Sequence, residues 1–175
     1  LNQALDYYYE SYQKYINEMW AEKLGLDQFK IGDNELIIEL VRLLQIVETD
    51  MTIFFRLLST IKKPEISHLE NAFYSIEGIP ESQWNFWLER WWDRVNHTPD
   101  QDKMKTSNPK YVLRNWMAQL AIDDAEKGDF TIALELYNML KKPYSEQPEY
   151  EEKWFKKRPE WARHRVGCSM LSCSS

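Results

Sequence analysis

Apolar side chains recur at three- and four-residue steps along most of this chain, and no stretch alternates apolar with polar convincingly enough for a half-buried strand. Only five glycines and seven prolines interrupt 175 residues. That pattern restricts the chain to packed helices. Residues 4–24 contain neither Gly nor Pro and place Leu5, Tyr8, Tyr12, Tyr15, Ile16, Met19 and Trp20 on an amphipathic helical stripe, which Gly25 stops. Asp33 is placed to cap a second helix, whose Leu36, Ile37, Leu40, Val41, Leu43, Leu44 and Val47 are dense enough for a deeply buried element. Asp50 or Thr52 opens a short helix through Phe54, Phe55, Leu57 and Leu58 that ends near Lys62-Lys63-Pro64. Residues 68–76 read as another helix, closed by Gly78.

After Pro80, the stripe Trp84, Trp87, Leu88, Trp91 and Val95 occupies one helical face. Residues 96–107 are polar and Pro-interrupted, the best loop candidate in the chain. Asn108-Pro109 then reads as a helix start, with Asn capping and Pro surrendering an N–H that has no partner there. The helix it opens is expected to bury Val112, Leu113, Trp116, Met117 and Leu120, with Asp123 and Lys127 as an outer i,i+4 pair worth about 0.3 kcal/mol. Gly128-Asp129 ends it and caps the next helix, which presents Ala133, Leu136, Tyr137 and Leu140 until Pro143, completing a tight αα-hairpin. Beyond Pro143, two further prolines, five aromatic residues and a basic run suggest an irregular segment pinned by its rings. The expected fold is all-α, with a helical region at 1–143 and an irregular tail at 144–175.

Composition narrows the function classes. A hydrophobic content of 43% suffices for a core, and a net charge of -6 argues against a general nucleic-acid binder, which needs a basic face for phosphate. No run of 18 apolar residues and no basic-apolar leader is present, so neither a membrane span nor an address is expected and the chain reads as soluble. Leu1 is not a methionine and the helical pattern begins within five residues, which fits a processed protein or a piece of a longer one.

Motifs for chemistry are few. His68, His97 and His164 lie far apart without a zinc spacing, which favours surface or capping roles. Eight tryptophans invite a stacking platform, yet helical spacing and negative charge favour core. The pairs Glu151-Glu152 and Asp123-Asp124 sit in polar stretches and read as solvated. Glycine-rich phosphate loops and nucleophile elbows are absent from the sequence. The two cysteines, Cys168 and Cys173, both fall in the last eight residues. A bond between them requires Cα atoms within about 7 Å, whereas five extended steps span about 17 Å, so a turn must form. Pairing with a distant thiol and two unreactive reduced thiols remain open alternatives.

The run Asn108-Pro109-Lys110-Tyr111-Val112-Leu113-Arg114-Asn115, the junction Ala125-Glu126-Lys127-Gly128-Asp129-Phe130, the stretch Lys142-Pro143-Tyr144-Ser145-Glu146-Gln147-Pro148-Glu149-Tyr150 and the ending Ser172-Cys173-Ser174-Ser175 together resemble the carboxyl-terminal portion of the selenoprotein O family, also called YdiU. Met51-Thr52-Ile53-Phe54-Phe55-Arg56-Leu57-Leu58-Ser59 resembles an earlier segment of the same region, and the likeness is weakest over 61–106. The resemblance implies a protein-kinase-like fold that transfers AMP from ATP to Ser, Thr or Tyr hydroxyls of proteins, with magnesium and an inverted nucleotide. It also implies that the nucleotide, metal and catalytic residues lie upstream, in a missing amino-terminal portion that is this chain's partner. No catalytic, ATP-binding or metal-binding residue is therefore assigned here. Cys173 matches the family position occupied by selenocysteine or cysteine, for which a redox link to an upstream cysteine is proposed. Cys168 departs from the simpler tail and is a competing partner. The compartment implied is the bacterial cytoplasm, or the mitochondrion for a eukaryotic member, and neither nucleic acid nor membrane is expected as a partner.

A different class also has a foothold. Residues 118–140 resemble half of a tetratricopeptide unit, which would make the chain a helical-repeat interaction module without enzymatic activity. Such a solenoid requires several copies of about 34 residues, and no second copy is visible.

Overall fold

Trp84, Trp87 and Trp91 follow one another at helical spacing on α4 (Glu81–Arg94), and all three are completely buried, as is Leu88 beside them. The chain is described here by a computed structural model over residues 2–168, whose regular elements are helices, without a sheet. They form two compact units, Leu1–Asn108 and Pro109–Ser175. In the first unit α4 packs on α2 (Asp33–Ile46) and on a 3-10 segment (Ile66–Ala72), which in turn packs on α3 (Met51–Leu58). Helix α1 (Asn2–Lys23) packs on α5 (Gln101–Ser107).

Burying an indole leaves its N–H to be satisfied, and two of the three find backbone oxygen. Trp87 donates to the Leu36 carbonyl of α2 at 2.8 Å, and Trp91 donates to the Leu24 carbonyl just past α1 at 2.9 Å. The Trp84 indole packs against Phe54 and Phe73 with its N–H unpartnered among the described residues. Asp50 caps α3 as expected, its carboxylate accepting from the Ile53 amide at 3.0 Å.

Local sequence signals miscarry where a distant partner claims the side chain. Asp33 does not cap α2. It is the first residue of the helix, buried, and its carboxylate accepts from the Lys30 amide at 2.7 Å and from Arg94 Nε and Nη2 at 2.7 and 3.0 Å. Residues 68–76 form no α-helix but end a 3-10 segment, followed by an isolated antiparallel bridge between Thr49 and Phe73. The polar stretch 96–107 is not all loop: Asp100 caps α5 by accepting from the Lys103 amide at 3.0 Å, and α5 buries Met104. Met104 fits because Gly25, at φ +68°, has no side chain; a Cβ there would lie 2.8 Å from the Met104 sulfur.

Asn108-Pro109 starts no helix. The Asn108 side chain accepts from Lys23 Nζ at 2.8 Å and donates to the Lys23 carbonyl at 2.9 Å, so it is occupied at the end of α1. The backbone then runs extended to α6 (Asn115–Ala125), leaving Val112 and Leu113 largely exposed.

In the second unit α6 and α7 (Thr131–Leu140) form the expected hairpin, turned by Gly128. Lys110 and Tyr111 both donate their amides to the Pro143 carbonyl, at 2.8 and 3.0 Å. The segment after Pro143 is more regular than its composition suggests. Pro148 sits at the first turn of α8 (Pro148–Trp154), and Trp154 is buried against Trp116 while donating to Glu135 at 2.9 Å. The boundary between compact units thus falls at Asn108/Pro109, and residues 144–168 belong to the same unit as the hairpin. Tyr137, by contrast, points outward and is largely exposed.

Trp91→Phe is expected to cost about 1–2 kcal/mol more in urea unfolding than Trp84→Phe, because only the first removes a buried hydrogen bond. Equal losses for the two variants would contradict the assigned role of the Trp91 N–H.

Candidate functional site at the carboxyl-terminal turn

The chain reaches Cys168 through a 3-10 turn (Glu160–Ala162) and a second turn in which the Cys168 amide donates to the Arg165 carbonyl at 3.1 Å. What holds this turn is a two-pronged ion pair. Arg165 Nη1 and Nη2 reach the two oxygens of Asp123 on α6, each at 2.7 Å, and Gln119 donates to the same carboxylate at 2.8 Å. Lys127 makes its close contact with Asp124 at 3.1 Å and acts on its expected partner Asp123 only as a weaker attraction at longer range. Gly167, at φ +84°, passes close to α6, where a Cβ would lie 3.0 Å from the Gln119 side-chain oxygen.

This fastening inserts Cys168 into the core of the unit, among Tyr111, Trp116, Met117, Leu136, Met139, Trp154 and Ala162, where it is 5% exposed. A shielded thiol packs as a small apolar group and is poorly placed for exchange. Cys173 lies outside the described residues.

Electrostatics follow the geometry. The Arg165 guanidinium, and after it the Gln119 amide, hold the Asp123 carboxyl below the usual carboxylate range, while Asp123 pushes Arg165 up. Elsewhere in this unit Lys110 is buried and its ammonium is gripped by Glu146 at 3.0 Å and Glu151 at 2.8 Å. Thus the acidic pairs read as solvated each contain a carboxylate that binds a cation. Sequence reasoning missed Lys110 and Arg165 as organisers, since their partners lie 36–42 residues away and leave no local signature.

The first unit contains a cleft of about 270 Å³ bordered by Asp27, Arg94, Asp100 and Lys103. Its charges are already engaged: Arg94 binds Asp27 and Asp33, and Lys103 donates to the Leu26 carbonyl at 2.9 Å. Asp27 is held well below the ordinary carboxylate range, first by the Gln28 backbone and then by Arg94. His97 bonds Asp93 at 2.8 Å and stacks on Trp92, while His68 and His164 lie exposed elsewhere. Among the described residues no group of three or more His, Cys, Asp or Glu is arranged to hold a metal ion, and no helix is long and apolar enough to cross a membrane.

Among its described residues the chain is a set of helices whose charged groups close turns and whose one described thiol fills a core. The family it serves is plain from comparison: the sequence model described as protein adenylyltransferase SelO matches residues 1–141, and the chain belongs to that family. Relatives named protein nucleotidyltransferase YdiU match along the whole chain, with 48% identity in Flavobacterium johnsoniae, 41% in Rhodopirellula baltica and 42% in Aromatoleum aromaticum. The chain spans 36%, 37% and 35% of those proteins, about a third of their length.

Two outcomes test the tail's fastening. Asp123→Asn is expected to raise the rate at which 4,4′-dithiodipyridine labels Cys168 at neutral pH several-fold. In the unsubstituted chain, a carboxyl depressed by folding stabilises fully above its unfolded value of about 4 and loses that contribution as pH falls through its folded value. Labelling of Cys168, corrected for the reagent's own pH dependence, is therefore expected to accelerate below about pH 4, and that acid-side rise should be reduced in Asp123→Asn.

Proposed function

We propose that this chain is the carboxyl-terminal helical portion of a kinase-like protein adenylyltransferase, in which it buttresses the catalytic part and carries a redox-sensitive tail. The reading rests on one observation above others: the family match is continuous, yet the chain accounts for only about a third of relatives named as nucleotidyltransferases. In this reading the remaining portion holds ATP and magnesium and transfers AMP to Ser, Thr or Tyr hydroxyls of protein substrates in the bacterial cytoplasm. In this reading no described residue of the chain is assigned to the metal or to nucleotide chemistry.

Two terminal cysteines of unequal standing complete the proposal. Cys173 forms the redox link to a cysteine in the remaining portion, and Cys168 anchors the turn from which Cys173 extends. Incubation with ATP labelled at the α-phosphate is expected to label protein substrate when the longer protein is present and to give no transfer with the 175-residue chain alone. Robust transfer by the chain alone would overturn the assignment of catalysis to the remainder. Thiol mapping of the oxidised longer protein is expected to find Cys173 joined to that second cysteine; a bond only to Cys168, or a fully reduced Cys173, would remove the tether.

A further inference from the structure

In α1, Leu5, Tyr8, Tyr12, Tyr15 and Met19 follow at steps of three, four, three and four, the spacing of the two seam positions of a heptad. In a helix anchored within its unit such a stripe faces inward, but here these residues are 47, 58, 54, 66 and 38% exposed. Helix α1 is docked near its carboxyl end, where Ala21 and the following Leu24 are buried. The seam is also partly ordered in advance, since the Tyr8 ring stacks on Tyr12 with centroids 6.1 Å apart. Hydrophilic pairs occupy other faces: Gln13 bonds Asn17, and Lys14 approaches Glu18. Tyr9, 64% exposed, sets its ring edge-on to Tyr8 at 5.8 Å and widens the stripe, which runs about 21 Å along the helix and marks an interaction surface.

We propose that this stripe is the seam on which the remaining portion of the longer adenylyltransferase docks an apolar helix, an inference that rests on the functional reading above. Nearly two thirds of the F. johnsoniae relative lies outside the region this chain spans, so an intramolecular occupant has ample length to come from. A second copy of the chain is the weaker occupant. The seam covers about two heptads, whereas a recognisable coiled coil sustains at least three or four. An intramolecular partner is held at an effective concentration of about millimolar, so a short seam suffices. Three phenols must also keep hydrogen bonds when covered, so the docking helix presents oxygen acceptors opposite Tyr8, Tyr12 and Tyr15 at the edge of its apolar face.

The test joins this chain to the remaining portion of the F. johnsoniae relative as one polypeptide and compares it with the chain alone. Hydroxyl-radical footprinting read by mass spectrometry reports Tyr8, Tyr12 and Tyr15 at matched radical dose. At least fivefold slower oxidation is expected in the joined protein, with rates in the chain alone independent of concentration. Tyr12→Glu in the joined protein is expected to restore oxidation of Tyr8 and Tyr15, while Gln13→Glu, off the seam, leaves them protected. Equal oxidation in both proteins overturns the seam, as does protection in the chain alone that grows with concentration, which would identify a second copy. AMP transfer measured on the same preparations separates the two ideas: transfer with unprotected tyrosines defeats the seam alone, and protection without transfer defeats the adenylyltransferase reading alone.

Discussion

A tryptophan can be buried cheaply only if its N–H finds an acceptor, and the first unit is arranged around that constraint. Trp87 and Trp91 reach out of α4 to carbonyls belonging to α2 and to the end of α1, so burial of one helix face also fixes where two other helices lie. The Arg94–Asp33 contact reinforces the same geometry from the end of α4. Loss of the α4 face would release the carboxyl end of α1, and with it the orientation of the exposed tyrosine stripe.

The second unit uses charge where the first uses indoles. Lys110 is buried between two carboxylates, and Arg165 closes a fork on Asp123. Such pairs resist removal of one partner because the other is then left uncompensated, although a well-packed apolar replacement of the whole pair is often tolerated. Their value here is positional. Lys110 fixes the extended segment before α6 against α8, and Arg165 sets the turn that buries Cys168.

Periodicity made much of this fold legible. The dense stripe of α2, the tryptophans of α4, the Asp50 cap and the α6–α7 hairpin depend on neighbours within a few residues, and each was recoverable from the sequence. Legibility ended where a side chain answers to a distant partner. Asn108 has the chemistry of a cap but spends its amide on Lys23; Asp33 has the same chemistry and spends its carboxylate on Arg94. Helix α5 escaped notice because seven residues around one buried methionine give too little apolar signal. At the candidate site the cysteines were visible, but the burial of Cys168 was not, since it depends on an Asp123–Arg165 contact spanning 42 residues.

The grip on Lys110 also orders events in time. Its carboxylates lie 36 and 41 residues further along, and the enclosed chain contains the whole α6–α7 hairpin. Closing so long a loop from an unfolded chain carries an entropic cost that grows with the logarithm of its length, whereas a hairpin assembles from near neighbours. On that argument the hairpin is expected to form first and draw the loop's ends together, with the ion-pair clasp shutting late. A late clasp contributes little to how fast the unit folds and much to how slowly it comes apart.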